Sequence, residues 1–553
     1  MKFRWLSAAV CTATLGLATF QSPDQCYAQG KTAPKAAAEV VADDSSGAVV
    51  VVALNSIDSL LPNIQHVARM VGAGAATGTM TTIVNQFAGG LDKSRPIGVF
   101  VNMDENNQPS AVGCLPVEDL EAFFEQLSSV VGEPEDLGDG LYQINVGPGV
   151  YAKKVGSWLY VGQSEDALSD LPDDMGNVLP KMIKNYDVRI QVNPQNIPEE
   201  IIEFVTSQMQ AGMDQAANNG NMDADDAEAA REASQQAIEQ IEEAIDGTEK
   251  LVIGLAINKQ EKRTILDFGT QFVADSKFAK QIEKMKTSKT TVAGTVQDGS
   301  MMGLQSFQLV GPEEIAQLEK SLESGLKTAL KDADEGIKQL AEKAVDILVE
   351  SAKLGKLETG VDVNVESGLS IVTSVSVADG AKIESLAAEV AAELAKEKAP
   401  VQLKINTGKH AGFNLHSASV QLPPDAAEAA KKMFGDQVTI AIATGPKSVH
   451  IAVGKTCDAS VKSAIDRSAA KPSAPAEMVK MRLVLSQLLS YVQSIEATPV
   501  SEAMLGAATT GNDRIMVDSQ TVERGAVVRL SIEDGVMKAI AAGVKAGRDG
   551  GGF

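Results

Sequence analysis

Val188-Arg189-Ile190-Gln191-Val192 alternates aliphatic with polar side chains, and 291 residues later Val479-Lys480-Met481-Arg482-Leu483 alternates in the same way. Alternation places residues i, i+2 and i+4 on one face of an extended strand. Upstream, Leu159-Tyr160-Val161-Gly162-Gln163-Ser164 has a counterpart in Ile451-Ala452-Val453-Gly454-Lys455-Thr456 at an offset of 292. Two neighbouring elements kept at nearly one spacing imply two diverged versions of a single unit in one chain.

Working outward, Ile97 to Val101 followed by Asn102 reads as a strand, matched at an offset of 304 by Val401 to Ile405 followed by Asn406. The first is followed by Asp104-Glu105-Asn106-Asn107, residue types that favour a hairpin turn. Leu115-Pro116-Val117-Glu118 and Leu422-Pro423-Pro424-Asp425 each offer a proline and an acid to open a helix. Ser164 and Thr456 are candidate N-caps, with Asp166 and Asp458 in the first turn. Gly247-Thr248-Glu249-Lys250-Leu251 is echoed by Gly511-Asn512-Asp513-Arg514-Ile515 at an offset of 264. The fall from 291 to 264 assigns about 27 extra residues to the first version, within an acidic helical insertion near 208–246 that carries Ile238, Ile241 and Ile245. The second version has its own insertion at 312–354, where Ile315, Leu318, Leu322, Leu326, Leu330, Ile337, Leu340, Ala344 and Leu348 follow helical steps.

Short strands joined by hairpins and interleaved with helices predict an α+β fold: two tandem diverged copies of a mainly antiparallel sheet with helices on one face, plus long helical insertions. The expected division is a signal peptide at 1–28, a disordered linker at 29–46, a first copy at 47–288, a second at 289–547 and a disordered tail at 548–553. Lys2 and Arg4 before the apolar run from Trp5 to Phe20, with Cys26-Tyr27-Ala28 offering a cleavage point, predict export to the periplasm or beyond the cell. No later stretch has about 18 consecutive apolar residues, so stable membrane insertion is not expected.

Of the 553 residues 44% are apolar and only 4% aromatic, so aliphatic side chains must fill the cores. The formal charge of −24 repels phosphate backbones and argues against nucleic acid as a partner. Cys114 and Cys457 are the only cysteines beyond the signal segment, and export makes a disulfide between them chemically possible, against the alternative of two buried thiols.

The export signal, the low aromatic content and the terminal stretch Arg529-Leu530-Ser531-Ile532-Glu533-Asp534-Gly535-Val536-Met537 resemble uncharacterised secreted proteins of planctomycete-type bacteria. That resemblance carries no established activity and implies no functional residues.

Four constellations could bear chemistry. Gly454-Lys455-Thr456 ends like a phosphate-binding loop, but Val449 stands where the loop needs glycine. His410, His416 and His450 match no compact metal spacing, and His450 corresponds to Trp158. Asn221, Asp223, Asp225 and Glu232 fit positions 1, 3, 5 and 12 of a calcium loop, with Asp226 in the glycine position and helix capping as the competing account. Ser324 with Lys327, and Ser468 with Lys471, have the serine/lysine spacing of acyl-serine enzymes without their partner motifs. No catalytic residue or cofactor is therefore expected. The sequence points to an exported non-catalytic binding or scaffolding protein, with recognition at Gly72 to Gly78 and the helical insertions; the alternatives are a carrier of a small apolar ligand and a hydrolase whose site is dispersed in sequence.

Overall fold

The computed structural model describes residues 47–549, apart from 146–148, 170, 172–174, 220–223, 332, 397–400, 423–427, 472–474 and 509–510. The expected signal segment and linker lie outside the described residues. The chain forms two compact units, one ending at Glu283 and completed by Thr521–Val527, the other made of Lys284–Gln520 and the segment from Val528 onward.

The first unit holds β1 (Val50–Leu54), β2 (Ile97–Met103), β3 (Pro109–Pro116), β4 (Glu135–Gly138), β5 (Leu141–Ile144), β6 (Val150–Val155), β7 (Trp158–Gly162), β8 (Val188–Val192), β9 (Thr248–Asn258) and β10 (Arg263–Phe272). Their order is β10-β9-β8-β1-β2-β3-β7-β6-β5-β4, every neighbouring pair antiparallel. Helices α1 (Ile57–Met70) and α2 (Gly74–Phe87) join β1 to β2, and α3 (Leu120–Val131) joins β3 to β4. Next come α4 (Met175–Met182) before β8, α5 (Glu199–Asn219) and α6 (Ala224–Gly247) between β8 and β9, and α7 (Lys277–Thr287) after β10.

The second unit holds β11 (Met302–Leu309), β12 (Lys356–Asn364), β13 (Ser370–Ser376), β14 (Val401–His410), β15 (Phe413–Gln421), β16 (Gln437–Thr444), β17 (Ser448–Gly454), β18 (Val479–Val484), β19 (Arg514–Val522) and β20 (Gly525–Glu533). Their order is β20-β19-β18-β11-β12-β13-β17-β16-β15-β14. Each strand thus stands where the strand ten places earlier stands in the first unit. Helices α8 (Pro312–Ala329) and α9 (Glu335–Ala352) join β11 to β12, and α10 (Gly380–Lys396) joins β13 to β14. They are followed by α11 (Glu428–Phe434) before β16, α12 (Cys457–Ala469) before β18, α13 (Leu485–Ile495) and α14 (Pro499–Ala507) between β18 and β19, and α15 (Asp534–Asp549) after β20.

Several local expectations are corrected by this topology. Ile97 to Val101 lies in β2, between β1 and β3, whereas Val401 to Ile405 lies in β14 at the sheet edge, so the two are not equivalents. The segment 312–354, expected as an insertion, forms a helical pair in the same link that α1 and α2 fill in the first unit. Pro116 ends β3 rather than opening a helix; α3 starts after Asp119, whose carboxylate accepts from Ala122 N at 3.0 Å. Gly72 to Gly78 is no loop beyond Gly72–Ala73: the positive φ of 76° at Gly72 breaks the chain and α2 begins at Gly74. Arg548 and Asp549, expected in the tail, are the last residues of α15.

In each unit the central strands bury one face against helices. Val51, Ala53, Phe100, Val112, Cys114 and Tyr160 pack against Leu168, Met175, Leu179 and Met182. Gly98 makes room there, since a Cβ on it would come within 2.6 Å of Leu179 Cδ2. In the second unit Val372, Ala441, Ala443 and Ala452 meet Val461, Ala464 and Ile465 of α12. Across the same face runs a strap, residues 290–300. Glu358 accepts from Thr290 Oγ1, Thr291 N at 2.7 Å and Thr291 Oγ1 at 2.9 Å. Asp362, four residues on, accepts from Gln297 N and Gln297 Nε2 at 3.0 Å and Ser300 Oγ at 2.8 Å.

Candidate functional site

The strand that opened the reading has its polarity reversed. Arg189 and Gln191 are buried, while Val188, Ile190 and Val192 are half-buried on the opposite face. The buried side chains form a relay: Arg189 Nη2 donates to Gln191 Oε1 at 2.7 Å, Gln191 Nε2 to Asn193 Oδ1 at 2.9 Å, and Asn193 Nδ2 to Ala48 O at 2.7 Å. Such pairing makes burial of polar groups tolerable. It leaves the aliphatic residues on the less covered side.

That side is continuous across the first unit. Phe268 of β10 pairs with Ile253 of β9, Ile253 with Ile190 of β8, Ile190 with Val52 of β1, and Val52 with Val99 of β2. Residues paired directly across antiparallel strands share a face, and the i±2 positions share it too. The flanking rows are Leu251, Val192, Val50 and Val101 on one side and Leu255, Val188, Leu54 and Ile97 on the other. None of these three rows contains a charged side chain.

The cover over this face is partial. Ser56 caps α1, its hydroxyl accepting from Ser59 N at 3.3 Å, and Leu60, Leu61, Ile64, Val67 and Ala68 give that helix an apolar stripe. Yet no residue of α1 is fully buried. Asn63 Nδ2 of α1 donates to Asp187 Oδ1 at 2.7 Å, and Asp187 Oδ2 accepts from Ile257 N at 2.7 Å, which ties the helix to the Leu255 end. Away from that tie the face opens: Leu251 is 40% exposed, Ile253 41% and Phe268 39%. On α5, Phe204 and Val205 are exposed as well.

The equivalent place in the second unit is closed. Val517 of β19 pairs with Met481 of β18 as Ile253 pairs with Ile190, and it is 2% exposed. Ile515, in the position of Leu251, packs with Leu485 and Leu489 of α13 and Met504 and Leu505 of α14.

Charge separates the units further. Residues 34–283 carry 16 Lys and Arg against 39 Asp and Glu, whereas 284–553 carry 30 against 33. Over 199–247, the span of α5 and α6, 13 acids stand with Arg231 alone.

The sequence-derived polar candidates do not converge. Asn221 and Asp223 lie outside the described residues, and Asp225 and Glu232 belong to α6. His410 Nε2 lies 2.7 Å from Asp466 Oδ1. His416 accepts from Asn406 N at 3.0 Å and contacts Thr444 Oγ1 at 2.9 Å. His450 Nδ1 is 2.7 Å from Ser374 Oγ, with both side chains out of solvent, and burial drives its pKa down to about 4. Among the described residues no three metal-ligating side chains cluster. Lys455 lines a cleft of about 440 Å³ with Phe434, Asp436 and Thr439, and Thr456 makes no capping bond to α12. Ser324 and Lys327 are exposed on α8, and Ser468 Oγ accepts from Gly294 N at 3.2 Å. Cys114 in β3 and Cys457 at the start of α12 are free buried thiols. Burial pushes the Cys114 thiol up to about 12.

Sequence reasoning passed over Leu251, Ile253 and Phe268, although Leu251-Val252-Ile253-Gly254-Leu255-Ala256-Ile257 puts its four largest aliphatics on one strand face. Comparison of the chain with protein-family models, curated proteins and solved structures finds no match. No described helix is long and apolar enough to cross a membrane.

Proposed function

We propose that this is an exported, non-catalytic binding protein, built from two tandem diverged copies of one α+β unit, that holds an apolar ligand against the aliphatic face of its first sheet. One observation carries the reading: the uncharged row Phe268, Ile253, Ile190, Val52 and Val99 runs across the face opposite the buried Arg189 and Gln191, and Phe268 and Ile253 at its β10 end stay about two-fifths exposed. Exposed aliphatic surface of this kind is costly in water at roughly 25 cal/mol per Å², which makes occupation by an apolar group favourable. The identical strand order and the 291-residue spacing of β8 and β18 support the duplication. The excess of acids over the first unit disfavours nucleic acid as the occupant. The Ser374 and His450 pair is closed to solvent.

Titration of the full chain with a neutral fluorescent apolar probe tests this. Saturable binding that is lost in Ile253→Asp is expected. A folded protein that never enhances the probe would defeat the proposal.

A further inference from the structure

Resting on that reading, we infer that the open face of the first unit receives a cationic amphipathic helix from another polypeptide. The second unit supplies the geometric argument. Between β18 and β19 its chain makes two short helices, of 11 and 9 residues, whose leucines and Met504 meet Ile515. Between β8 and β9 the first unit makes two long helices, of 21 and 24 residues, and Leu251 and Ile253 in the equivalent positions stay open. One topology therefore has its aliphatic end filled by its own helices in one unit and unfilled in the other.

Geometry favours a helix as the occupant. The exposed Leu251, Ile253 and Phe268 lie together at the β9–β10 end of the face, and helix-in-groove docking uses the same i, i+3, i+4 anchors that Leu485, Leu488 and Leu489 of α13 provide in the cluster with Ile515.

Charge sets the sign of the occupant's polar face. The lining rows hold no charge, so the inserted stripe is uncharged. Residues 34–283 carry 39 acids against 16 bases, and 199–247, the span of α5 and α6, carries 13 against one. A helix whose solvent side is rich in Lys and Arg is attracted and one rich in Glu is repelled. Residues 284–553, with 30 bases against 33 acids, have no comparable field.

The test uses the full chain and two synthetic 18-residue amphipathic helices that share one leucine stripe, one with lysine and one with glutamate on the polar face. Fluorescence anisotropy is expected to show the lysine peptide binding at least tenfold more tightly at low salt, with the advantage shrinking in 0.5 M NaCl. Ile253→Asp and Leu251→Ser, each confirmed folded by circular dichroism, should weaken the lysine peptide at least tenfold, while Ile83→Ser on α2 leaves it unchanged. Equal affinity for the two peptides, or no effect of either face variant, overturns the inference. If the neutral probe binds and neither peptide displaces it, the cationic helix is wrong and the apolar-ligand reading stands. If neither probe nor peptide binds, both fall.

Discussion

Asp518 Oδ1 lies 3.7 Å from Arg482 Nη2 on the buried face of the second sheet, and among the described residues neither atom has a hydrogen-bond partner. Burial raises the Asp518 carboxyl to about 6, against the pull of Arg482, and lowers the Arg482 guanidinium from its ordinary value. Because the folded value exceeds the 3.8 of an ordinary Asp, ionisation of Asp518 costs no stability below pH 4, and the cost grows as pH rises through 6. Arg482→Met removes the compensating cation and raises the carboxyl further. Urea unfolding should find the variant no less stable than the parent at pH 4 and about 3 kcal/mol less stable at pH 8. A deficit equal at both pH values would mean that the pair is not what matters there.

Glu358 holds the strap 290–300 through two threonine hydroxyls and a backbone amide, with Lys356 Nζ at 3.2 Å. Glu358→Ala strands these donors beside a buried face. A loss of about 3 kcal/mol is expected, since each donor left unpaired costs on the order of 1 kcal/mol or more. Hydrogen exchange at Thr291 should accelerate well before exchange in β12. Unchanged protection of Thr291 would show that the strap is held by packing alone.

Glycine marks the strap's close approach. A Cβ on Gly360 would fall 2.8 Å from Thr295 Cβ, whereas one on Gly325, inside α8, would meet nothing within 4 Å. Gly360→Ala should therefore destabilise by about 1–3 kcal/mol and Gly325→Ala should stabilise by about 0.5–1 kcal/mol. Thermal unfolding of both variants checks the opposite signs.

The two thiols should be silent in the native protein. Cys114 is wholly buried and its thiol is pushed up to about 12, so thiolate is scarce at pH 8. Peptide mapping after iodoacetamide treatment is expected to find neither Cys114 nor Cys457 labelled until denaturant is added, after which both are labelled without reductant. A need for reductant would reinstate the bridge.

Much of the fold could be read from alternation alone. The β8 and β18 match, and the β9 and β19 match, rest on strands whose equivalent residues Ile190 and Met481, or Ile253 and Val517, sit in the same rows. The mismatch of β2 with β14 has a physical cause: an isolated alternating strand carries no mark of its neighbours, and pairing is decided by the whole sheet. The α1 and α2 pair escaped notice because Gly72 to Gly78 reads as a loop, although the helix tolerates Gly74 and Gly78 once α1 has packed beside it. The open face was hidden for a different reason. Aliphatic residues on a strand predict burial, and nothing local to Leu251 or Ile253 says that the helices following β8 leave them uncovered.

The hairpin tip Thr521–Val527 belongs to the first unit although it is encoded near the end of the chain. Phe272 N donates to Arg524 O at 2.7 Å, Arg524 Nη1 donates to Glu249 Oε2 at 2.6 Å, and Gly525 approaches so closely that a Cβ would lie 2.1 Å from Thr270 O. A chain emerging from the ribosome must therefore produce some 240 further residues after Glu283 before its leading unit can be finished. Until then the last strand of that unit waits with an unsatisfied edge, and its maturation is timed by the arrival of the trailing end.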